Sequence, residues 1–330
     1  MILVPLKEKI FLTVAIFVHN RDEFVNYALN SVLGQTLDRS FFEILIISNI
    51  YINLRPEQLN IPNLKIIQTD QQSLWDKIVL ARNLANGEII SFLEDDDLWH
   101  SNKLKHVMEV FLSDPNICYY HNGFKLFHDQ KITETVPSNW DSADSHKSTT
   151  IQTNSARDSL KLFADYNLSS ISIQKKILFT DLKIMPENLF IDGMLFLLAT
   201  FSSGPMAADN IALTFIRLHK NNNSGLSIKD ERENWFFWSE LFQQFNVSGG
   251  LNKTLVNFLQ NEFSLNAAIR YSLSRFTAFK YFYLYLLSAI RLRIRLRSYV
   301  MVKFCLFFIS ERLMKIFVFK YHTDSYGELI

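Results

Sequence analysis

The chain has 330 residues, enough for one large domain or two smaller ones with a real core. Hydrophobic residues make up 48% and charged residues 20%, which excludes a disordered, solvating chain. The formal charge of +1 is unevenly spread: Phe263–His322 holds eleven Lys and Arg against one acid, Glu311, so the body before it is net acidic.

In chain order, residues 11–18 (FLTVAIFV) are β-branched and aromatic, the composition of a buried strand. In HNRDEFVNYALNSVLGQT, Phe24, Ala28, Val32 and Leu33 are spaced as one helical face. Phe42–Ser48 and Leu64–Gln68 read as a second and third strand, and residues 73–85 as a helix closed by Asn86-Gly87. Glu88–Leu93 is a fourth strand that runs straight into Glu94-Asp95-Asp96-Asp97. Strands and helices alternating in this way imply an α/β fold with a mostly parallel sheet and flanking helices. Ligands of such sheets bind beyond the carboxyl ends of the strands, where His19-Asn20-Arg21, Ser48-Asn49, Asp70 and Glu94–Asp97 fall. Residues 138–158 are polar without a period and read as a long loop. After Gly225 the chain turns helical and aromatic, through residues 235–245 and two segments at 276–290 and 298–309.

Cys118 and Cys305 fit neither a metal spacing nor a disulfide framework, as expected of a chain in a reducing compartment. The opening MILVPLKEKI meets a charge too soon for a signal peptide, and no uninterrupted apolar run reaches the roughly 20 residues that span a bilayer.

Four consecutive acids after an apolar strand need a reason, because adjacent carboxylates repel and resist leaving water. At a strand tip they can supply oxygen ligands to a hard cation without being buried, and Mg²⁺ takes one or two carboxylates plus substrate phosphates. The alternative is a solvated loop in which Asp96 or Asp97 caps the helix starting near Asn102.

Four stretches in order resemble family 2 glycosyltransferases. TVAIFVHNRDEFVNYALNSVLGQT is similar to their opening, and ARNLANGEIISFLEDDDLW to the segment with an acidic metal motif. ENLFIDGMLFLLATFSSG is similar to the catalytic-carboxylate segment, and FIRLHKNNNSG to the closing Arg-x-His pattern. The resemblance covers about residues 11–225. It implies a GT-A nucleotide-sugar-binding and catalytic domain over 1–225, with 226–330 as a helical, basic-aromatic region. It also implies a metal-dependent inverting glycosyltransferase that moves a sugar from a nucleotide-diphosphate donor to an acceptor hydroxyl. Asp192 would be the base; Asp96, Glu94 and His219 would hold Mg²⁺ or Mn²⁺. Val18, His19, Asn20, Arg21, Asn49, Asp70, Arg82, Asp95, Asp96 and Arg217 would line the donor site. The chain departs from the family pattern at Ser48-Asn49, where an aspartate is common, at Glu94 in place of Asp, and at Ile191-Asp192 in place of an acid pair. A metal-dependent nucleotidyl- or phosphotransferase and an inactive nucleotide-sugar-binding scaffold are the alternatives.

The basic-aromatic segments, with RLRIRLR between them, suit helices in a membrane interface whose Lys and Arg reach anionic headgroups. A soluble helical subdomain or a protein interface is the competing reading. The expectation is a cytoplasmic protein, peripheral on the membrane, with a glycan or lipid-linked acceptor and no nucleic-acid partner.

Overall fold

The computed structural model describes residues 10–128, 151–153, 164–178, 191–202, 204–218, 251–270, 274–293, 296 and 298–309. The chain divides into two compact units, Met1–Lys183 with Phe190–His219 and Ile184–Leu189 with Lys220–Ile330.

Among the described residues, the first unit is built on a nine-stranded sheet. Its strands are β1 (Leu12–Val18), β2 (Phe42–Ser48), β3 (Leu64–Gln68), β4 (Ile89–Glu94), β5 (Leu98–Trp99), β6 (Tyr119–His128), β7 (Ile151–Thr153), β8 (Ile171–Gln174) and β9 (Met206–Leu218). The order is β3-β2-β1-β4-β8-β6-β9-β5, with β7 also on β9. The expected parallel sheet is β3-β2-β1-β4; beyond β4 the sheet is mixed, with β8 antiparallel to β4 and β6, and β6 parallel to β9. Around it lie α1 (Val25–Leu33), α2 (Leu74–Leu84), α3 (Lys103–Ser113) and α4 (Ile191–Phe201).

β1 and β2 are buried along their whole length, as two-sided parallel strands must be. Val14, Ile16 and Val18 join Val25, Ala28, Leu29 and Val32 of α1 and Leu104 and Val107 of α3 in one core. At the amino ends, buried Glu43 accepts from Thr13 Oγ1 (2.9 Å) and from Asn86 N (2.5 Å) and Nδ2 (2.7 Å). Gly87 is required beside it: a Cβ there would lie 2.6 Å from the backbone of Leu12 and Thr13. The end opposite the ligand edge is thus fastened, and strand register carries that rigidity to the other end.

One expectation needs correction. Residues 151–153, inside the stretch read as a loop, form β7 and pair antiparallel with Met206–Ala208. Three residues carry no period of their own; their partner lies more than fifty positions away. The remainder of 138–158 lies outside the described residues, as does the helical reading of 235–245.

The second unit contains α5 (Leu251–Arg270), α6 (Arg275–Leu292) and α7 (Ser298–Ile309). The basic-aromatic segments are helices. Ser274 caps α6 by accepting from Thr277 N (3.1 Å), and Arg293 ends it in the left-handed region at φ 52°. Phe258 of α5 stacks on Tyr285 of α6 at 5.0 Å, and Phe282 of α6 on Phe304 of α7 at 3.9 Å. Among the described residues no helix is long and apolar enough to cross a membrane.

Candidate active site

Parallel pairing places Val18 beside Ser48 and Phe17 beside Glu94, so the carboxyl ends of β1, β2 and β4 share one edge. There Asn20, at φ 57°, turns the chain out of β1 in a conformation that asparagine tolerates. Its N–H donates to Asn49 Oδ1 (3.1 Å), and Asn49 Nδ2 donates to Asn20 Oδ1 (2.7 Å) and Gln72 Oε1 (2.9 Å). Gln72 Nε2 in turn donates to the carbonyl of exposed Asp70 (3.2 Å). This half of the edge is a neutral carboxamide network.

Behind it Lys77, on the buried face of α2, donates to the Val18 carbonyl (2.9 Å) and lies 3.2 Å from His19 Nδ1. Burial pushes the Lys77 ammonium down to about 8. Burial, then the charges of Lys77 and Arg21, lower the His19 imidazole.

The β4 end is different. Asp95, Asp96 and Asp97 are 4%, 8% and 2% exposed, so the carboxylates expected at a solvated strand tip are buried. The cover comes from far along the chain: β9 pairs with Leu98 and Trp99 just beyond the loop, and Ser169 Oγ accepts from Glu94 N (3.0 Å). Arg21 answers two of the acids, donating to Asp95 Oδ1 and Oδ2 (3.3 Å each) and to Asp96 Oδ2. Burial opposes the Arg21 charge, but Asp96 and Asp95 outweigh it and raise its pKa.

Arg217, fully buried, donates from Nε to the Asp96 carbonyl (2.7 Å) and from its backbone N–H to Asp97 Oδ1 (3.1 Å). Its guanidinium lies 4.5 Å from the Phe24 ring centroid, 4.9 Å from Phe127 and 5.8 Å from Tyr27, an aromatic cage for a cation.

Compensation is incomplete. Burial and then Asp96 raise Asp95 to about 6 against the pull of Arg21. Burial and Asp96 raise Asp97 to about 7 despite hydrogen bonds from Ser169, Arg217 N and Asn167. Glu94 is pushed up strongly by burial, then by Asp96, Asp97, Asp192 and Asp95 in turn. The loop holds more negative charge than its cations offset.

Asp192 stands in the first turn of α4, where a carboxylate suits the helix dipole. Asn167, at φ 66°, donates its backbone N–H to Asp192 Oδ2 (2.8 Å) and its side-chain Nδ2 to Asp97 Oδ2 (3.4 Å). One residue thus ties the isolated carboxylate to the acidic loop. Burial raises Asp192 to about 7, with the Asn167 N–H pulling the other way.

Sequence reasoning passed over Asn167, Ser169, Lys77 and Lys103. Lys103 is fully buried and donates to the Ser169 carbonyl (2.5 Å) and Thr214 Oγ1 (2.9 Å). A legible signal existed for the lysines: each occupies the apolar stripe of its helix, Lys77 with Ile78 and Ala81, Lys103 with Val107 and Val110. The asparagine and serine gave none. Arg82 hydrogen-bonds its neighbour Asn83 (3.1 Å), and among the described residues no recorded hydrogen bond joins it to the cluster. His219 lies outside the described residues.

Among the described residues no three His, Cys, Asp or Glu side chains gather as a metal cage. A Mg²⁺ site built on one or two carboxylates and substrate phosphates does not need one. The all-oxygen donor set fits a hard divalent cation, and burial first and the charge of Asp96 second raise the proton affinities of Glu94, Asp95 and Asp97 there.

Residues 13–156 match the family described as Glycosyl transferase family 2. No curated protein matches the chain. Among solved structures, S. aureus TarS 1-349 in complex with UDP-GlcNAc is 15% identical with a TM-score of 0.57, over 96% of this chain and 92% of that one. S. aureus TarS 1-349 alone is 17% identical with a TM-score of 0.53, over 82% and 74%. A longer S. aureus TarS, of which the chain spans 45%, is 17% identical with a TM-score of 0.51. Likeness at such identity concerns the fold; the family match concerns the half of the sheet that carries the acidic loop. The match to this family over residues 13–156, together with the GT-A fold, makes the chain a glycosyltransferase.

Proposed function

We propose that the chain transfers a sugar from a nucleotide-diphosphate donor to an acceptor hydroxyl, with inversion, at the edge formed by β1, β2, β4 and α4. The observation that carries this is Asp192. It is a carboxylate held by the Asn167 N–H, within electrostatic reach of the acidic loop and with a proton affinity near neutral. A base poised near the working pH is what deprotonation of a hydroxyl requires. The complex of TarS with UDP-GlcNAc makes a UDP-sugar the donor class to test first.

Val18, His19, Asn20, Arg21, Asn49, Asp70 and Arg82 border the donor, with Arg21 facing the diphosphate alongside Asp95. Glu94 and Asp96, with His219 as the resemblance implies, would hold Mg²⁺ or Mn²⁺, whose charge offsets that of the diphosphate. Arg217 acts differently from expectation: buried beneath the loop, it fixes Asp96 and Asp97 instead of meeting the diphosphate. We further infer a glycan or lipid-linked acceptor, met on the cytoplasmic face of a membrane where the C-terminal region docks.

The test is turnover of UDP-sugars with Mg²⁺ or Mn²⁺ and an acceptor. Acceptor-dependent release of UDP supports the reading. Release of pyrophosphate would instead assign a nucleotidyltransferase, and donor binding without turnover a scaffold.

A further inference from the structure

α6 has two apolar faces, and only one is used. Ala278, Tyr285, Ala289 and Leu292 are buried. Phe276, Phe279, Tyr283 and Ile290 are exposed, Phe276 by 79% and Ile290 by 62%. At about 100° per residue the four exposed side chains fall within an arc of roughly 60°, opposite the buried set. They form a single stripe about 21 Å long. α7 repeats the pattern: Val300 and Phe307 are buried, while Val302 and Ile309, seven apart, are exposed. Scattered exposed hydrophobics are ordinary, but a continuous aromatic stripe is a contact surface.

Charge selects the occupant. Exposed Lys280 and Arg291 flank the stripe on one side and exposed Arg275 on the other, and neither α6 nor α7 contains an acid. A second copy laid on the same stripe would bring these cations together with no carboxylate on either helix to answer them. An anionic bilayer answers them all: rings enter the interface while Lys and Arg reach headgroup phosphates. Phe and Tyr are also the side chains that settle at that depth.

We infer that the Phe276–Phe279–Tyr283–Ile290 stripe of α6, with Arg275, Lys280 and Arg291, is the face that docks on an anionic phospholipid surface. This rests on the peripheral reading proposed above and adds the residues that carry it.

The full chain is sedimented with phosphatidylcholine vesicles, with and without phosphatidylglycerol, beside two variants. One carries Phe276→Ser, Phe279→Ser and Tyr283→Ser; the other Lys280→Glu and Arg291→Glu. All five positions are exposed, so urea midpoints should match the parent. The parent is expected to bind only the anionic vesicles, more weakly at high salt, and each variant to bind roughly tenfold or more weakly. If the parent binds and both variants bind equally well, this face is wrong and the peripheral reading survives. If the parent binds neither vesicle, both readings fall. Equal binding to neutral vesicles, or a dimer in solution that the serine variant abolishes, overturns the lipid assignment.

Discussion

The two halves of the candidate site are built on opposite terms. At the ends of β1 and β2, Asn20, Asn49 and Gln72 satisfy one another as neutral amides at a partly open edge. At the end of β4, four acids are packed under β9 and the Asn167–Ser170 turn, with Arg21 and Arg217 placed against them. Burying an amide whose partners are present costs little; burying a carboxylate is expensive unless charge and hydrogen bonds come with it. The amide half can therefore change without disturbing the fold, whereas the acidic half is locked to a framework drawn from distant parts of the chain. Chemistry and stability should both be concentrated on the acidic side.

The largest expected effect lies on Asp192. Asp192→Asn keeps shape and the acceptor oxygen facing Asn167, but removes the basic lone pair. Transfer should fall about 10²–10⁴-fold, in kcat, with thermal stabilisation by the donor retained. Near-parental turnover would move the base elsewhere, Asp165 being the next carboxylate to test.

This division also explains what could be read in advance. β1, β2 and β4 were legible because buried parallel strands are continuous apolar, β-branched-rich runs, and the ligand edge followed from their direction. The positions of Asn49 and Glu94–Asp97 at that edge were legible for the same reason, whereas Asp192, in the first turn of a helix, came from the family resemblance alone. The burial of Asp95–Asp97 was not, since Asn167, Ser169 and Arg217 reach the loop from seventy to 120 positions away. Arg217 read as a group free to meet a diphosphate because nothing local shows three aromatic rings closing on it.

The second effect is on stability. Arg217→Met keeps bulk among Phe24, Tyr27 and Phe127 but takes a buried cation from beneath Asp96 and Asp97. The backbone N–H at 217 still holds Asp97, but the buried Asp96 carbonyl loses its charged donor, which typically costs about 1–3 kcal/mol. Urea unfolding should show a loss of this size, and a loss under about 1 kcal/mol would mean that the acidic half does not depend on this cation.

A third effect is in pH. With Asp192 at about 7, kcat/KM should rise about tenfold per unit below that pH and level off above it, if its ionised form is the base. Stability should run the other way. The folded carboxyl holds its proton more tightly than the unfolded one, at about 4, so its contribution is present below that value and lost as pH rises through about 7. Asp192→Asn should flatten the kcat/KM profile and remove only its own share of the stability profile, leaving the shares of Asp95 and Asp97. A parental kcat/KM flat from pH 5 to 8 would remove Asp192 from the chemistry.

The smallest effect should come from the amide half. Asn49→Ala removes the acceptor for Asn20 N and the donor to Asn20 Oδ1 and Gln72 Oε1, but all three groups sit where water can replace it. Net contributions of such neutral hydrogen bonds are about 1 kcal/mol, so the urea midpoint should move little. On the proposed reading, in which the turn at Asn20 borders the donor, function should respond in KM for the donor, because Asn49 holds that turn. Asn49→Asp is the sharper probe: it keeps the acceptor for Asn20 N but sets a carboxylate oxygen against Asn20 Oδ1 and Gln72 Oε1, replacing attraction with repulsion. It should raise donor KM more than alanine does while kcat stays near parental. A fall in kcat with unchanged KM in either variant would place Asn49 on the chemical side, and the division between a replaceable amide half and a locked acidic half would fail.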